Sequence, residues 1–278
     1  MNSRHRTTAG LTLGFLTLGA QVAPMDVIAG AAAAGFGAAG LRISGRMPGD
    51  AWPSVDGDAA AFGRIRDAAG ASGVRISSIS GYYITPQTQG DHLLANVRAA
   101  RELGAPLIAQ GCFEPDRDRS VALLRDYAAA AAQAGVRIAL EFMPMSELKT
   151  LEQTLAVIQR TGAVNIGLLL DSLHLARSGA GANEVAALAP GSIYLTQLCD
   201  GPRELGANSS LLDEAMSGRM YPGDGALDLA GLVYALSPEA EIELETPVVA
   251  DAGLESTQRA CRAADKAVAF FQRHFPSD

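Results

Sequence analysis

The chain predicts a single α/β domain folded as a closed (β/α)8 barrel. Three observations predict it. Apolar, strand-like runs alternate with alanine-rich, helix-like segments eight times along the 278 residues. No linker-like segment divides the chain. The length suits one large core, because α/β barrels commonly reach about 250 residues as a single domain.

The strand candidates follow in order: Leu11–Leu18, Ala39–Ile43, Val74–Ile79, Pro106–Gln110, Arg137–Glu141, Asn165–Asp171, Ser192–Gln197 and Glu241–Glu245. Between them lie segments with helical spacing, such as "DVIAGAAAAGF", "DAAAFGRIRDAAGASG", "HLLANVRAARELG", "VALLRDYAAAAAQAG" and "TLEQTLAVIQRTG". Several finish in glycine, as helices often do. The N-terminal stretch "MNSRHRTTAGLTLGFLTLGAQVAP" reads either as a secretory leader or as a polar tail, residues 1–10, ahead of a first strand. The barrel needs a strand there, so the strand reading is preferred and the whole of residues 1–278 is taken as one domain. The longest irregular stretch, about Cys199 to Gly225, follows the seventh strand and belongs on the active-site face of such a barrel.

Composition excludes several classes. Hydrophobic residues make up 48% and charged residues 19%, which is a globular balance. The net charge of −8 and the absence of a basic run leave no footprint for nucleic acid. No stretch approaches the roughly 20 apolar residues of a membrane span. The three cysteines, Cys112, Cys199 and Cys261, are far apart, and no disulfide framework or zinc spacing can be built from them. That suits a reducing cytosol, so a cytoplasmic location is expected. The partners expected are a small polyhydroxylated substrate, no nucleic acid and no membrane, with a homo-oligomer left open.

The chemistry is carried by strand ends. "NIGLLLDSLHLARSG" runs three leucines straight into Asp171, with His174 and Arg177 following at three-residue steps. Strand five ends in Glu141, strand seven carries Gln197 near its end, and strand eight ends in Glu245. The C-terminal ends of barrel strands form the site. Four strands therefore bring three carboxylates and one amide to one rim. Carboxylates crowded together raise one another's pKa values, and a divalent cation resolves that conflict. A set of oxygen donors favours Mn²⁺ or Mg²⁺ over zinc. The expected metal ligands are Glu141, Asp171, Gln197 and Glu245.

These motifs resemble the sugar phosphate isomerase/epimerase family, the xylose isomerase-like TIM barrels. The resemblance covers nearly the whole chain. It rests on "ALEFMP" around Glu141, "GLLLDSLHLARSG" around Asp171, "YLTQLCDGP" around Gln197, "GRMYPGDGALDL" and "ELETP" around Glu245. It implies a divalent metal held by Glu, Asp, His and Glu from strands five to eight. Gln197 stands where many members have His. The 3-dehydroshikimate dehydratases also use a Gln ligand, but they resemble a Glu-x-His pattern on strand five, and here that position is Met143. Endonuclease IV, another relative, binds several zinc ions through many histidines; this chain has only His5, His92, His174 and His274.

The expected activity is isomerisation or epimerisation of a keto-sugar, sugar phosphate or keto-polyol through an enediolate. Loss of a β-hydroxyl after the same first step would make a lyase. A ligand-binding barrel without turnover is the non-enzymatic alternative. Glu141 and Glu245 are the expected base and acid. His174, one turn past Asp171, is expected to act beside the metal and to give the rate a group titrating near neutral pH. Arg42, Arg177, Arg203 and Arg219 are candidates for binding substrate oxygens. Tyr82 and Tyr83 are candidates for lining the pocket. Glu243 is expected to point into the barrel, with Arg137 as its structural partner.

Overall fold

The protein is described by a computed structural model covering residues 4–52, 55 and 57–276. Residues 1–3 of the expected polar tail lie outside the described residues. Eight parallel strands pair in chain order: β1 (Thr12–Gly14), β2 (Ala38–Arg42), β3 (Arg75–Ser80), β4 (Leu107–Gln110), β5 (Arg137–Glu141), β6 (Ile166–Asp171), β7 (Ile193–Leu198) and β8 (Ile242–Leu244). β8 pairs back onto β1 through Glu243 opposite Thr12 and Leu244 opposite Leu13, so the barrel closes.

An outer ring of helices covers the strands. α1 (Pro24–Ala34), α2 (Ala59–Ser72), α3 (Gly90–Leu103), α4 (Arg117–Gln133) and α5 (Leu151–Thr161) each follow the strand of the same number. Short helices α6 (Ser172–Arg177) and α7 (Ala182–Ala186) follow β6, and α8 (Leu211–Ser217) and α9 (Leu229–Ala235) follow β7. α10 (Ser256–His274) ends the described chain and packs against α1. Local chemistry starts these helices. Asp116 accepts from the amides of Asp118 and Arg119 to open α4, and Thr150 accepts from Gln153 to open α5.

The first strand is shorter than its apolar run. Leu11–Leu18 resolves into β1 and a 3-10 turn, Phe15–Leu18. The side chain of Thr17 takes over from the ladder there: its hydroxyl donates to the Leu244 carbonyl (2.8 Å) and accepts from the Thr246 amide (2.9 Å). The turn carries Phe15 and Leu16 to the mouth of the barrel.

Inward-facing positions differ around the ring. Leu107, Ala109, Ala139, Leu169 and Leu195, from β4 to β7, pack into one apolar cluster inside the barrel. At a neighbouring level β1, β2 and β3 supply Gly14, Gly40 and Ser78, which are paired in register. The space they leave is taken by Glu243 of β8. Arg137 does not meet it. That arginine is exposed at the start of β5, and its guanidinium lies 4.5 Å from the centre of the Tyr194 ring. The first position of β5 lies at the solvent end of the barrel, so the expected Glu243–Arg137 pair does not form.

The loop after β7 is ordered by one acid. Asp200 Oδ1 accepts from the amides of Gly201 and Leu227, and Oδ2 accepts from those of Gly223 and Gly225. The "PGDG" turn is thereby tied to the barrel, with Gly223 at φ 88°, a conformation glycine adopts without steric cost. This pinning brings Arg219 back over the strand ends.

Candidate active site

Glu141 and Asp171 end their strands, Gln197 is one residue short of the end of β7, Glu245 directly follows β8, and all four are buried. Neighbouring register explains their meeting: Asp171 is paired with Gln197, and Gln197 with Glu243. One cavity is lined by Glu141, Gln197, Glu245, His174 and Arg219 together.

Asp171 does two jobs. Its Oδ1 caps α6, accepting from the amides of Leu173 (2.8 Å) and His174 (3.0 Å). Its Oδ2 pairs with Arg219. The strand-end carboxylate thus starts the helix that returns His174 to the rim. Ligand atoms of Glu141, Asp171 and His174 all lie within 4.8 Å of one another, and His174 Nε2 is 3.7 Å from Glu141 Oε1.

Arg219 is the cation at the centre. Its Nε donates to the Ala215 carbonyl at 2.8 Å, Nη1 pairs with Asp171, and Nη2 lies 3.3 Å from Glu245 Oε2. A buried guanidinium with these neighbours stays charged: burial opposes the charge, but Asp171 and the groups beside it hold the proton on. Burial works against ionising Asp171 too, yet Arg219 keeps its carboxyl below the usual range. Glu245 is pushed up by burial against the pull of Arg219. Glu141 is pushed well above the usual range, by burial first and then by repulsion from Glu245 and Asp171.

Arg219 and, from the mouth, Arg46 face three carboxylates, so the site has room for a further positive charge. The donor chemistry agrees with that. Gln197 Nε2 donates to Glu243 Oε1 (2.8 Å) and Glu245 Oε1 (3.1 Å), while its Oε1 is buried with no hydrogen-bond partner. A buried carbonyl oxygen without a partner costs free energy unless something completes it. Glu141, Asp171 and His174 are grouped closely enough to hold a divalent metal, and Gln197 and Glu245 line the cavity beside them.

His174 is shifted away from the neutral range that the sequence suggested. Burial lowers its pKa to about 4, so the imidazole is neutral at pH 7 and is not a group titrating there. Its Nε2 lies beside Glu141, within the group of residues close enough to hold a metal ion.

The expected arginines separate. Only Arg219 lines the cavity. The Arg42 guanidinium is spent beside it on the Ala20 and Ser44 carbonyls, on Asp50 and on the face of Trp52, 4.4 Å from the ring centre. Arg177 forms a two-pronged pair with Glu214 (2.6 and 2.7 Å) and donates to the Pro202 carbonyl, which braces the loop after β7. Arg203 is exposed on that loop. Their donors are committed elsewhere or turned to solvent, so these three are not cavity residues.

Arg46 takes their place, and no motif pointed to it. Its guanidinium lies 5.4 Å from the Phe15 ring centre and 5.5 Å from that of Tyr83, with Nη1 3.3 Å from the Tyr83 hydroxyl. Asp50 Oδ2 accepts from the Arg46 amide at 3.0 Å and sets the loop. Tyr83 lines the cavity as expected, and Tyr82 instead stacks on His92, ring centres 4.5 Å apart. Ser80 also lines the cavity, its Oγ buried with no hydrogen-bond partner. Asp50, Ser78 and Glu243 also line it, and the apolar part of the wall includes Phe113, Met143, Met145 and, from α8, Met216.

Comparison with known proteins agrees with the fold. The chain is 32% identical over 111 residues to a 3-dehydroshikimate dehydratase of Pseudomonas aeruginosa, covering 40% of this chain and 17% of that protein. It is 31% identical over 125 residues to an inosose isomerase of Bacillus subtilis, covering 44% and 43%. The chain thus spans less than half the length of either of these curated relatives. Among solved structures, the IolI protein with a bound zinc atom superposes with a TM-score of 0.78 at 17% identity, covering 96% of this chain and 99% of that one. An L-ribulose 3-epimerase superposes with a TM-score of 0.68 at 20% identity, covering 95% and 93%. The profile of the xylose isomerase-like TIM barrels matches residues 28–267, and the chain belongs to that family.

Proposed function

We propose that the chain is a divalent-metal-dependent isomerase or epimerase of a small keto-sugar, sugar phosphate or keto-polyol, using Mn²⁺ or Mg²⁺. The observation that carries the reading is the buried cluster of Glu141, Asp171 and His174 beside a Gln197 amide whose oxygen has no protein partner. Glu141, Asp171, Gln197 and Glu245 would hold the metal, and the mostly oxygen donor set favours Mn²⁺ or Mg²⁺ over softer ions. A bound divalent cation supplies Lewis-acid polarisation of a carbonyl or hydroxyl oxygen.

The chain's own residues supply the proton chemistry. Glu141 and Glu245 are the groups that take the proton from the carbon next to the carbonyl and return it. Their raised pKa values bring them closer to working pH than an exposed carboxylate would be. Neutral His174 orients Glu141 or exchanges a hydrogen bond with a substrate hydroxyl. Arg219 fixes Asp171 and Glu245 in place, and Arg46 at the mouth offers donors to substrate oxygens. Phe15, Tyr83, Phe113 and the α8 residues limit the entry of water.

A lyase is the second reading, favoured by Gln197 and by the match to a 3-dehydroshikimate dehydratase. Met143, buried where those enzymes resemble a histidine pattern, stands against it. The test is product identity. Mn²⁺-loaded protein is incubated separately with an inosose, L-ribulose, D-allulose and 3-dehydroshikimate, and the products are followed by proton NMR. An isomeric ketose or epimer is expected. Formation of a product that has lost water, with no isomer, would replace the isomerase reading by the lyase.

A further inference from the structure

Glu243 is a buried acid that the chemistry above does not use. It is 2% exposed and lies in the barrel one inward position below Glu245. The barrel is shaped to admit it. A Cβ at Gly40 would sit 2.1 Å from Glu243 Oε2, and one at Gly14 would sit 2.9 Å from Oε1. Ser78 Oγ lies 3.2 Å from Oε2.

The other oxygen has a specific partner. A primary amide has two N–H donors and one acceptor oxygen. Gln197 Nε2 donates to Glu243 Oε1 at 2.8 Å and to Glu245 Oε1 at 3.1 Å, so both N–H groups are used. What remains is Gln197 Oε1, buried and without a protein partner. The last torsion of a glutamine is broad and roughly two-fold, so an amide lacking this anchor can turn its NH₂ group inward instead. An NH₂ group has no lone pair for a cation, and its hydrogens would repel one.

We infer that Glu243 is a positioning residue for the metal site: by accepting one N–H of Gln197, it makes the amide present oxygen, not nitrogen, to the cation. The inference rests on the proposed divalent-metal site. It explains why two glycines and a serine line β1 to β3 beside β8, and why an acid is buried there.

The test is Mn²⁺ affinity of chelator-stripped protein, read by the loss of the free-ion electron paramagnetic resonance signal. Glu243→Met, which has no acceptor, is expected to bind Mn²⁺ about 10–100-fold more weakly than wild type, as for loss of a group that orients a ligand. Glu243→Gln keeps an acceptor oxygen and should stay within a few-fold of wild type. Gly40→Ala leaves every ligand intact but drives a methyl group into the Glu243 carboxyl, and should weaken binding in the same direction. It carries the comparison should Glu243→Met not fold. Wild-type affinity in both Glu243→Met and Gly40→Ala would overturn the inference while leaving the metal site standing. An equal loss in Glu243→Gln and Glu243→Met would also overturn it, since charge and not amide orientation would then be responsible. A wild-type chain that takes up no Mn²⁺ would overturn both the inference and the metal site.

Discussion

The two halves of the barrel do different work. β1 to β4 present small or apolar side chains to the interior: Gly14, Gly40, Ser78, Leu107 and Ala109. β5 to β8 present Glu141, Asp171, Gln197 and Glu243, with Glu245 just beyond β8. The first half supplies room and walls, and the second adds charge at its strand ends beyond Ala139, Leu169 and Leu195. The difference teaches where the strain of the site lies. Acids concentrated on one side raise each other's pKa values, and their counter-charge must come from loops: Arg219 after β7 and Arg46 after β2. The loops of the wall half add Phe15, Tyr83 and Phe113 around the cavity.

The sharpest way to break this division is to neutralise its acidic half. Glu141→Gln should lower kcat by about 10²–10⁴-fold, the usual worth of a general acid or base, with folding intact. Steady-state kinetics with the substrate identified by NMR checks it. A near-normal kcat would move the proton transfer elsewhere. Arg219→Met leaves Asp171 and Glu245 buried without their cation and should destabilise the metal-free protein by about 3–5 kcal/mol, measured by urea unfolding. Added Mn²⁺ should recover part of that loss, because the ion binds the folded chain. His174→Ala should cost about 10–100-fold in activity with metal content retained, checked by elemental analysis beside the assay. Loss of the metal would instead make His174 a ligand. On the wall half, Phe113→Ala should raise KM more than it lowers kcat, since the ring touches no reacting group.

The smallest effect is a pH dependence. In the folded chain Glu243 holds its proton up to about pH 8, against about 4.5 for an ordinary glutamate. Its contribution to stability is therefore fully present below the ordinary value and is lost as pH rises through the raised one. Metal-free wild type should lose stability relative to Glu243→Gln between pH 5 and pH 8, seen as a widening gap in Tm. Parallel Tm profiles would mean that Glu243 is ionised throughout.

Much of this was legible in the sequence because periodicity and strand ends are local signals. "RIALE", "GLLLD" and "ELETP" each stop an apolar run on an acid, and the barrel topology then brings those ends together. The place of His174 at the rim followed from helical spacing after Asp171, whereas Arg219, expected to bind substrate oxygens, pairs with Asp171 and Glu245 instead. What was not legible depends on which donor a distant group claims. Arg42 ends β2 and Arg46 follows four residues on, and only the fold shows that Asp50, Ala20 and Trp52 take the first while the second reaches the cavity. Arg177 was likewise claimed by Glu214, 37 residues away in the chain. Arg137 was placed inward by alternation, which fails at a strand's first residue, where the barrel opens to water. The run Leu11–Leu18 looked like one strand because a 3-10 turn held by Thr17 buries the same apolar residues.

The central claim is that the acidic half holds a divalent cation and moves a proton beside a carbonyl. Hydrogen exchange in D₂O tests it most directly. Chelator-stripped protein is compared with protein carrying one equivalent of Mn²⁺, using an inosose, L-ribulose, D-allulose and 3-dehydroshikimate as probes. The account predicts that deuterium enters at the carbon next to the carbonyl of at least one probe, only with Mn²⁺ present, and not with Glu141→Gln. Protein that binds one Mn²⁺ and exchanges no proton on any probe, or that exchanges equally well without metal, would contradict it.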